Sequence, residues 1–278
     1  MHRRSLRLGL LTILGVSRRG YFIPYRHADK LPQPGSVPRY MAISAIMEAA
    51  TGEFTGMLDL LDGLAADLRA IGPAPPPAPR WDQDWFPTLD AAAAYGMVRQ
   101  HRPPQIIEVG SGHSTRFLKR AVDDGGFDCR IVAIDPLPRR GVDRLDIEIH
   151  PTTLNEIDLS IFDALSSGDM LFIDSSHILM PGSDVDDLVN RILPALPSGV
   201  LVHVHDIFLP DDYPPAWSWR GYNEQQVIAA LVGSGAYEVL FASHYVESRL
   251  ADRLARSVVA ELPSKPGSLP ASLWLRKK

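Results

Sequence analysis

Apolar residues recur along the chain with two periods, which predict helices and strands. A spacing of three and four over residues 54–71 predicts a helix that ends at Gly72. A helix over 91–100 follows, with Thr88 or Asp90 as its cap. The predicted strands are 105–109, 130–134, 145–149, 169–173, 199–205, 237–242 and 272–276, and the helices between them 114–122, 184–196 and 223–233. This alternation predicts an α/β fold with a parallel sheet, whose ligands bind at the carboxyl ends of the strands.

The segment before the alternating pattern has a different composition. Residues 1–30 carry seven Lys and Arg against one acid, around an apolar run too short to span a bilayer. We interpret them as an amphipathic arm that packs on the domain or on a partner subunit; weak contact with a membrane surface is the alternative, followed by disorder or export. The proline-rich residues 73–80 predict a linker. The predicted organisation is therefore arm and helices 1–72, linker 73–80 and main domain 81–278.

Composition restricts the classes of partner. A formal net charge of -5 gives no overall basic field, so nucleic acid is not expected as a substrate. The single cysteine, Cys129, cannot form an internal disulfide and is expected to be packed. A cytoplasmic location and an oligomer of identical chains are expected.

The most informative segment is 105–115, an apolar run that ends in two glycines. It predicts a buried strand, a loop that lets a ligand approach bare backbone, and a helix N-terminus with unpaired N–H groups. Asp135 ends a second apolar strand 25 residues beyond Gly110, where a carboxylate can accept both hydroxyls of a ribose. Thr115 stands where a dinucleotide-binding loop has its third glycine, which weakens the case for NAD.

Glu108-x-Gly110-x-Gly112 resembles the first motif of the class I S-adenosylmethionine (SAM)-dependent methyltransferases, and Asp135 stands at that family's ribose-binding acid. Residues 108–115 and 171–177 resemble a bacterial branch that acts on small molecules. The resemblance covers roughly 85–276 and implies a Rossmann-like methyltransferase fold. That fold is a seven-stranded, mostly parallel sheet with helices on both faces, here with an N-terminal helical extension. The implied cofactor-binding residues are Glu108, Gly110, Ser111, Gly112, Ser114, Thr115 and Asp135. Ser114 departs from the family's glycine pattern.

Two further strands end in groups that can bind a metal or move a proton. Asp174 and His177 follow the fourth strand, and His205 and Asp206 follow the fifth. Together they suit a divalent metal: Mg²⁺ or Mn²⁺ if oxygen ligands dominate, iron or zinc if histidine does. Metal-dependent catechol-type methyltransferases are similar, with Asp174 and Asp206 at the matching positions. His203 lies deeper and is expected to be a hydrogen-bonded core histidine.

The same residues supply candidates for catalysis. A hydroxyl nucleophile must lose its proton, so His177 and His205 are the candidate bases. The long aromatic segment after the fifth strand is expected to form the acceptor pocket. Its candidate contacts are Tyr213, Trp217, Trp219, Arg220 and Tyr222, and Arg220 suits a carboxylate or phosphate.

The leading hypothesis is a SAM-dependent methyltransferase acting on a small-molecule hydroxyl, with metal assistance left open. One alternative is a non-methylating SAM- or metal-dependent enzyme on the same fold. Another is a non-catalytic module that binds SAM or a nucleotide, and an NAD oxidoreductase comes last.

Overall fold

The computed structural model describes residues 3–33 and 35–278. The chain divides into two compact units, one of Met1–Arg39 with Asp211–Tyr222 and the other of Tyr40–Pro210 with Asn223–Lys278. Residues 1 and 2 of the predicted basic arm lie outside the described residues. The predicted linker, 73–80, lies within the larger unit. No helix in the described part of the chain is long and apolar enough to cross a membrane.

Helices and strands alternate through the larger unit. The strands are β1 (Gln105–Val109), β2 (Arg130–Ile134), β3 (Glu148–His150), β4 (Met170–Ile173), β5 (Leu201–Val204), β6 (Tyr237–Ala242) and β7 (Leu273–Lys277). The α-helices of the described residues are α1 (Arg3–Ile13), α2 (Met41–Ala49), α3 (Thr51–Gly63), α4 (Ala65–Arg69), α5 (Thr88–His101), α6 (His113–Gly125), α7 (Asp184–Asp187), α8 (Leu193–Ala195), α9 (Glu224–Gly233), α10 (Ser243–Arg249) and α11 (Ala251–Leu254).

The seven strands form one sheet in the order β3-β2-β1-β4-β5-β7-β6. The first five strands pair in parallel, whereas β7 is antiparallel to both β5 and β6. This confirms the predicted Rossmann-like methyltransferase fold with its reversed last strand. Because β1, β2, β4 and β5 run the same way, the segments that follow them meet at one edge of the sheet.

Most predicted elements are present, with changes at their ends. The third strand is only Glu148–His150, and the helix predicted over 184–196 contains a π-helical turn between α7 and α8. Ser183 caps α7 by accepting a hydrogen bond from the Asp186 amide, as serine commonly does at a helix start.

The predicted cap of α5 is wrong. Pro87 is the cap residue, and Asp90 instead accepts hydrogen bonds from the Ala271 and Ser272 amides, each at 3.0 Å. This carboxylate is fully buried and joins α5 to the start of β7. The Asp90 carboxylate therefore bonds to a segment about 180 residues away instead of capping its own helix.

The centre of the sheet is tightly packed. All four residues of β4 and of β5 are buried. His203 on β5 stacks on Phe172 of β4 with ring centroids 3.7 Å apart, and its Nε2 lies 2.8 Å from the Ser272 hydroxyl. The expectation of a hydrogen-bonded core histidine is confirmed.

Candidate active site at the carboxyl edge of the sheet

The glycine loop fits closely between two neighbouring strand ends. The Gly110 amide donates to the Ile134 carbonyl at the end of β2 (2.9 Å), and the Asp174 amide donates to the Val109 carbonyl (2.8 Å). Gly110 has φ +87°, and a Cβ on it would lie 2.4 Å from the Asp174 carbonyl oxygen. Only glycine fits here, because any side chain would push the first loop away from the β4 end.

Glu108 organises this loop from below. Its carboxyl is fully buried and accepts hydrogen bonds from the Ser114 hydroxyl (2.5 Å) and the Thr115 hydroxyl (2.6 Å). The Thr115 oxygen accepts in turn from the Gly112 amide at 2.8 Å. Burial raises the pKa of Glu108 to about 8, against the two hydroxyl donors. The Ser114 hydroxyl thus gives a buried acid a hydrogen-bond partner that a glycine at this position could not supply.

Asp135 and Ser111 lie together at the tip of β2. The Ser111 hydroxyl donates to Asp135 Oδ2 at 2.8 Å, and the Leu137 amide donates to Oδ1 at 2.7 Å. The carboxylate is only partly buried. Each of its oxygens keeps a free lone pair, so this carboxylate can still accept the hydroxyls of a ribose.

Asp174, His177, His205 and Asp206, here called the strand-tip cluster, come together as the two strand ends predict. His177 Nε2 is 3.4 Å from Asp174 Oδ1 and from Asp206 Oδ2. His205 Nδ1 is 3.4 Å from Asp174 Oδ1 and from Asp206 Oδ1. His177 and Asp206 have left-handed φ values of 61° and 57°, a strained conformation that is concentrated at functional sites.

Two further carboxylates support the histidines from behind. Glu224, at the start of α9, lies 2.9 Å from His177 Nδ1 through Oε2 and accepts the Ser175 hydroxyl at 3.0 Å. Asp90 Oδ2 lies 3.5 Å from His205 Nε2. Sequence reasoning missed both residues. They come from α5 and α9, and no spacing links them to the strand tips.

The charges of the strand-tip cluster are strongly coupled. Burial disfavours a charge on either imidazole, but the surrounding carboxylates prevail and raise the pKa of His177 and of His205 well above the ordinary value. Burial would likewise raise the pKa of Asp174, yet the positive charge of His205 and hydrogen bonds from both histidines hold it below its usual range. Asp174 is the accessible member, since 39% of its side chain is exposed against 6–10% for the other three.

Most residues of the candidate site lie in a segment that matches a known protein family. Residues 107–207, which span the glycine loop, Asp135 and the strand-tip cluster, match the family model of a methyltransferase domain. By this match, residues 107–207 form a methyltransferase domain. No curated protein matches it.

Solved structures similar to this methyltransferase are distant. The SAH-bound methyltransferase PaMTH1 of Podospora anserina shares 15% identity, with 93% of this chain and 99% of that chain covered and a TM-score of 0.43. The plantazolicin methyltransferase BpumL shares 12% identity, with 81% of this chain and 98% of that chain covered and a TM-score of 0.45. The branched-chain polyamine synthase of Thermus thermophilus shares 16% identity, with 78% of this chain and 63% of that chain covered and a TM-score of 0.44. Likenesses this remote carry no argument about substrate.

The metal expected in this methyltransferase is not supported by the side-chain arrangement. Within residues 3–33 and 35–278, no group of three or more His, Cys, Asp and Glu side chains is placed so that it could hold a metal ion. The four predicted ligands do meet, with four nitrogen-to-oxygen contacts of 3.4 Å, but they do not form such a group.

The predicted acceptor residues lie in the smaller unit. There Arg220 stacks over Trp217, with its Cζ 4.3 Å from the ring centroid, and donates to the Tyr222 hydroxyl at 2.9 Å. Tyr213 packs edge-on against Tyr222. Arg220 Cζ also lies 5.3 Å from the centroid of the Trp219 ring. The five side chains named for acceptor binding thus form one packed group within the unit that also holds the N-terminal arm.

Proposed function

We propose that this methyltransferase transfers the methyl group of SAM to a hydroxyl of a small organic molecule. One observation carries the proposal: the Asp174 amide is hydrogen-bonded to the residue before the glycine loop. The loop that would hold the methyl donor therefore adjoins a cluster of imidazoles and carboxylates that can act on a hydroxyl proton. Bound SAM would supply an electrophilic methyl group on a sulfonium.

The chain's own residues hold the donor in this proposal. Asp135 accepts the ribose hydroxyls, Ser111 orients Asp135, and the backbone of the loop between Gly110 and Gly112 lies against the ligand. Glu108, Ser114 and Thr115 have their polar atoms directed at each other. Their role is to fix the loop, and contact with the donor is left to the backbone of this segment.

The strand-tip cluster handles the acceptor. Asp174, the exposed member, accepts the hydrogen bond of the hydroxyl and aligns its oxygen with the methyl group, since alignment supplies much of the rate. One of the two histidines, His177 or His205, receives the proton when its ring is neutral, and because the pKa of both rings is raised this form becomes more populated as pH rises. Glu224 fixes the ring orientation of His177 in the way a carboxylate orients a catalytic histidine.

We also propose that a divalent metal, Mg²⁺, Mn²⁺ or iron, binds at this cluster after a small rearrangement of its side chains. Four carboxylates, those of Asp174, Asp206, Glu224 and Asp90, face only two histidines in a poorly solvated place. Such an excess of negative charge favours a cation. The contact from Glu224 to His177 Nδ1 is also the arrangement that commonly orients a metal-bound histidine. A bound metal would lower the pKa of the acceptor hydroxyl.

Two further roles are assigned to the smaller unit in this proposal. We propose that Tyr213, Trp217, Arg220 and Tyr222 contact the acceptor, and that residues 1–30 make weak contact with a membrane surface or with a second copy in a homo-oligomer. Exposed apolar side chains support this, because Leu6, Leu10 and Ile13 recur on one face of α1 and the exposed Leu14 directly follows the helix.

Calorimetry tests the cofactor. SAM and its demethylated product S-adenosylhomocysteine (SAH) are expected to bind and NAD is not. Asp135→Ala is expected to weaken SAH binding at least tenfold by removing the ribose contacts, whereas Asp128→Ala, an exposed acid before β2, leaves it unchanged. Absence of SAM and SAH binding by the wild-type protein would contradict the proposal. A methyl-transfer screen over small hydroxyl compounds then tests the acceptor class.

Elemental analysis of protein purified without chelator tests the metal. One divalent ion per chain is expected in the wild type, and much less in Asp174→Ala and Asp206→Ala. Asp186→Ala, an acid at the start of α7 outside the cluster, serves as the matched control. No metal, or equal metal in all four proteins, would leave the two histidines as the proton acceptors without metal assistance.

A further inference from the structure

A group of positive side chains lies beside the glycine loop and takes no part in the function proposed above. Arg116 is in the first turns of α6, and only 4% of its surface is exposed. Its Nη2 donates to the Arg140 carbonyl at 2.6 Å, but its Nε is buried without a hydrogen-bond partner. A buried guanidinium with an unused donor is costly to the fold unless an anion completes it.

A second polar atom at the start of α6 is also buried without a hydrogen-bond partner. His113 is the first residue of α6 and 8% exposed, and its Nδ1 is buried without a partner. Burial and the charges of Arg116, Arg139 and Arg80 lower the pKa of His113 to about 4, so its ring is neutral and can donate one hydrogen bond.

Arg139 connects this group to the glycine loop. Its aliphatic stem lies against Gly112, where an added Cβ would come within 2.8 Å of Arg139 Cδ. Its guanidinium lies over the exposed ring of Trp85, 4.1 Å from the centroid. Gly112 is thus shielded by an arginine whose charged end remains accessible.

Carboxylates do not compensate these charges. Among the ion pairs of the described residues, Arg80, Arg116 and Arg139 have no acidic partner. The nearby Asp84 is paired with Lys265 at 3.3 Å. Burial and the like charges of Arg80 and Arg139 lower the pKa of Arg116, with no acid acting to raise it.

We propose that Arg80, Arg116 and Arg139, together with the His113 imidazole, form a binding site for an anionic group, a carboxylate or phosphate, beside the glycine loop. The N-terminus of α6 adds its own positive end, which favours an anion at this place. Two ligands can bring such a group: the amino-acid carboxylate of the methyl donor, which rests on the proposed function, or an acidic group on the acceptor.

Thermal unfolding in inorganic phosphate, against chloride at equal ionic strength, tests the site itself. Phosphate is expected to raise the Tm of the wild-type protein by several degrees. Arg139→Gln, which alters a half-exposed side chain, and Arg116→Met are each expected to lose that shift. Arg140→Gln is the matched control, because it removes an exposed positive charge from the same loop, keeps the backbone carbonyl that accepts from Arg116, and alters no charge that shifts the pKa of Arg116 or His113. Equal shifts in phosphate and chloride, or equal loss in Arg140→Gln, would overturn the proposal.

Calorimetry with SAH and with 5'-methylthioadenosine, the same nucleoside without the amino-acid part, distinguishes the two sources. If the site takes the donor carboxylate, Arg139→Gln weakens SAH binding at least tenfold and leaves 5'-methylthioadenosine unchanged. If it takes an acidic acceptor group, both affinities are unchanged and phosphate still binds in saturating SAH. A wild-type protein that binds neither nucleoside contradicts the proposed function, while the phosphate experiment still decides the anion site.

Discussion

Glu108 is a carboxylic acid held where water does not reach, and it is the residue on which the loop geometry depends. Its sequence position, two residues before the first glycine, was enough to suggest a SAM loop. Its partners were not predictable from that pattern, because they are the hydroxyls of Ser114 and Thr115 on the next helix. At this scale the residue types indicated the chemistry, and the fold decided which atoms meet.

The raised pKa of Glu108 predicts a pH-dependent stability. The folded chain binds this proton more tightly than the unfolded chain does. Its contribution to the free energy of unfolding is therefore fully present below pH 4.5, and is lost as pH rises through the folded pKa of about 8. In urea unfolding at several pH values, the free energy of unfolding of the wild type should fall by up to about a few kcal/mol across this window. The fall is expected to be smaller in Glu108→Gln. Glu53→Gln, which alters an exposed acid, is expected to keep the slope. Identical slopes in all three proteins would refute the assignment.

At the scale of elements, the site is made by loops that approach each other across neighbouring strands. β1 and β4 pair in parallel, and their ends are joined through Val109 and Asp174. Alternating patterns predicted these strands well, because apolar runs bounded by turn residues are a local signal. The cap of α5 was predicted wrongly, because Asp90 bonds to residues far along the chain and local chemistry carries no sign of that.

Gly110→Ala is expected to disturb the junction between the first loop and the β4 end. The left-handed backbone costs about 1–3 kcal/mol for alanine, and the new Cβ would also collide with the Asp174 carbonyl. A lower Tm and at least tenfold weaker SAH binding are expected by thermal unfolding and calorimetry.

Gly182→Ala separates the two effects. Gly182 also has a positive φ, +78°, but nothing lies within 4 Å of an added Cβ. It should lower the Tm and leave SAH affinity unchanged. Normal SAH binding by Gly110→Ala would show that the close approach of the two loops does not shape the cofactor site.

For the whole molecule, charge and exposed apolar surface are unevenly distributed. The chain has a net charge of -5, yet residues 1–30 carry seven basic residues and one acid. The exposed apolar residues of this arm include Leu10, Leu14, Phe22 and Ile23. All proposed cofactor residues lie in the larger unit, whereas the arm and the proposed acceptor residues lie in the smaller one.

Deletion of residues 1–33 is therefore expected to leave SAH affinity within about twofold, because the larger unit is unaltered, and to abolish binding to anionic vesicles. Vesicle sedimentation and calorimetry measure the two effects, with neutral vesicles as the control for charge. If vesicle binding and oligomer size both stay the same, the arm only packs within its own unit. A large fall in SAH affinity would place cofactor contacts in the smaller unit.

The sequence by itself determined the strand and helix order, the glycine loop and the four side chains of the strand-tip cluster. Each of these is encoded in a short stretch, where apolar periodicity and the residue after a strand carry the information. The tertiary structure alone decided that Glu224 and Asp90 stand behind the histidines and that three arginines gather near Gly112. It also placed the proposed acceptor residues in the same unit as the arm. Those contacts join elements far apart in sequence, and burial and charge select such neighbours only once the chain has folded.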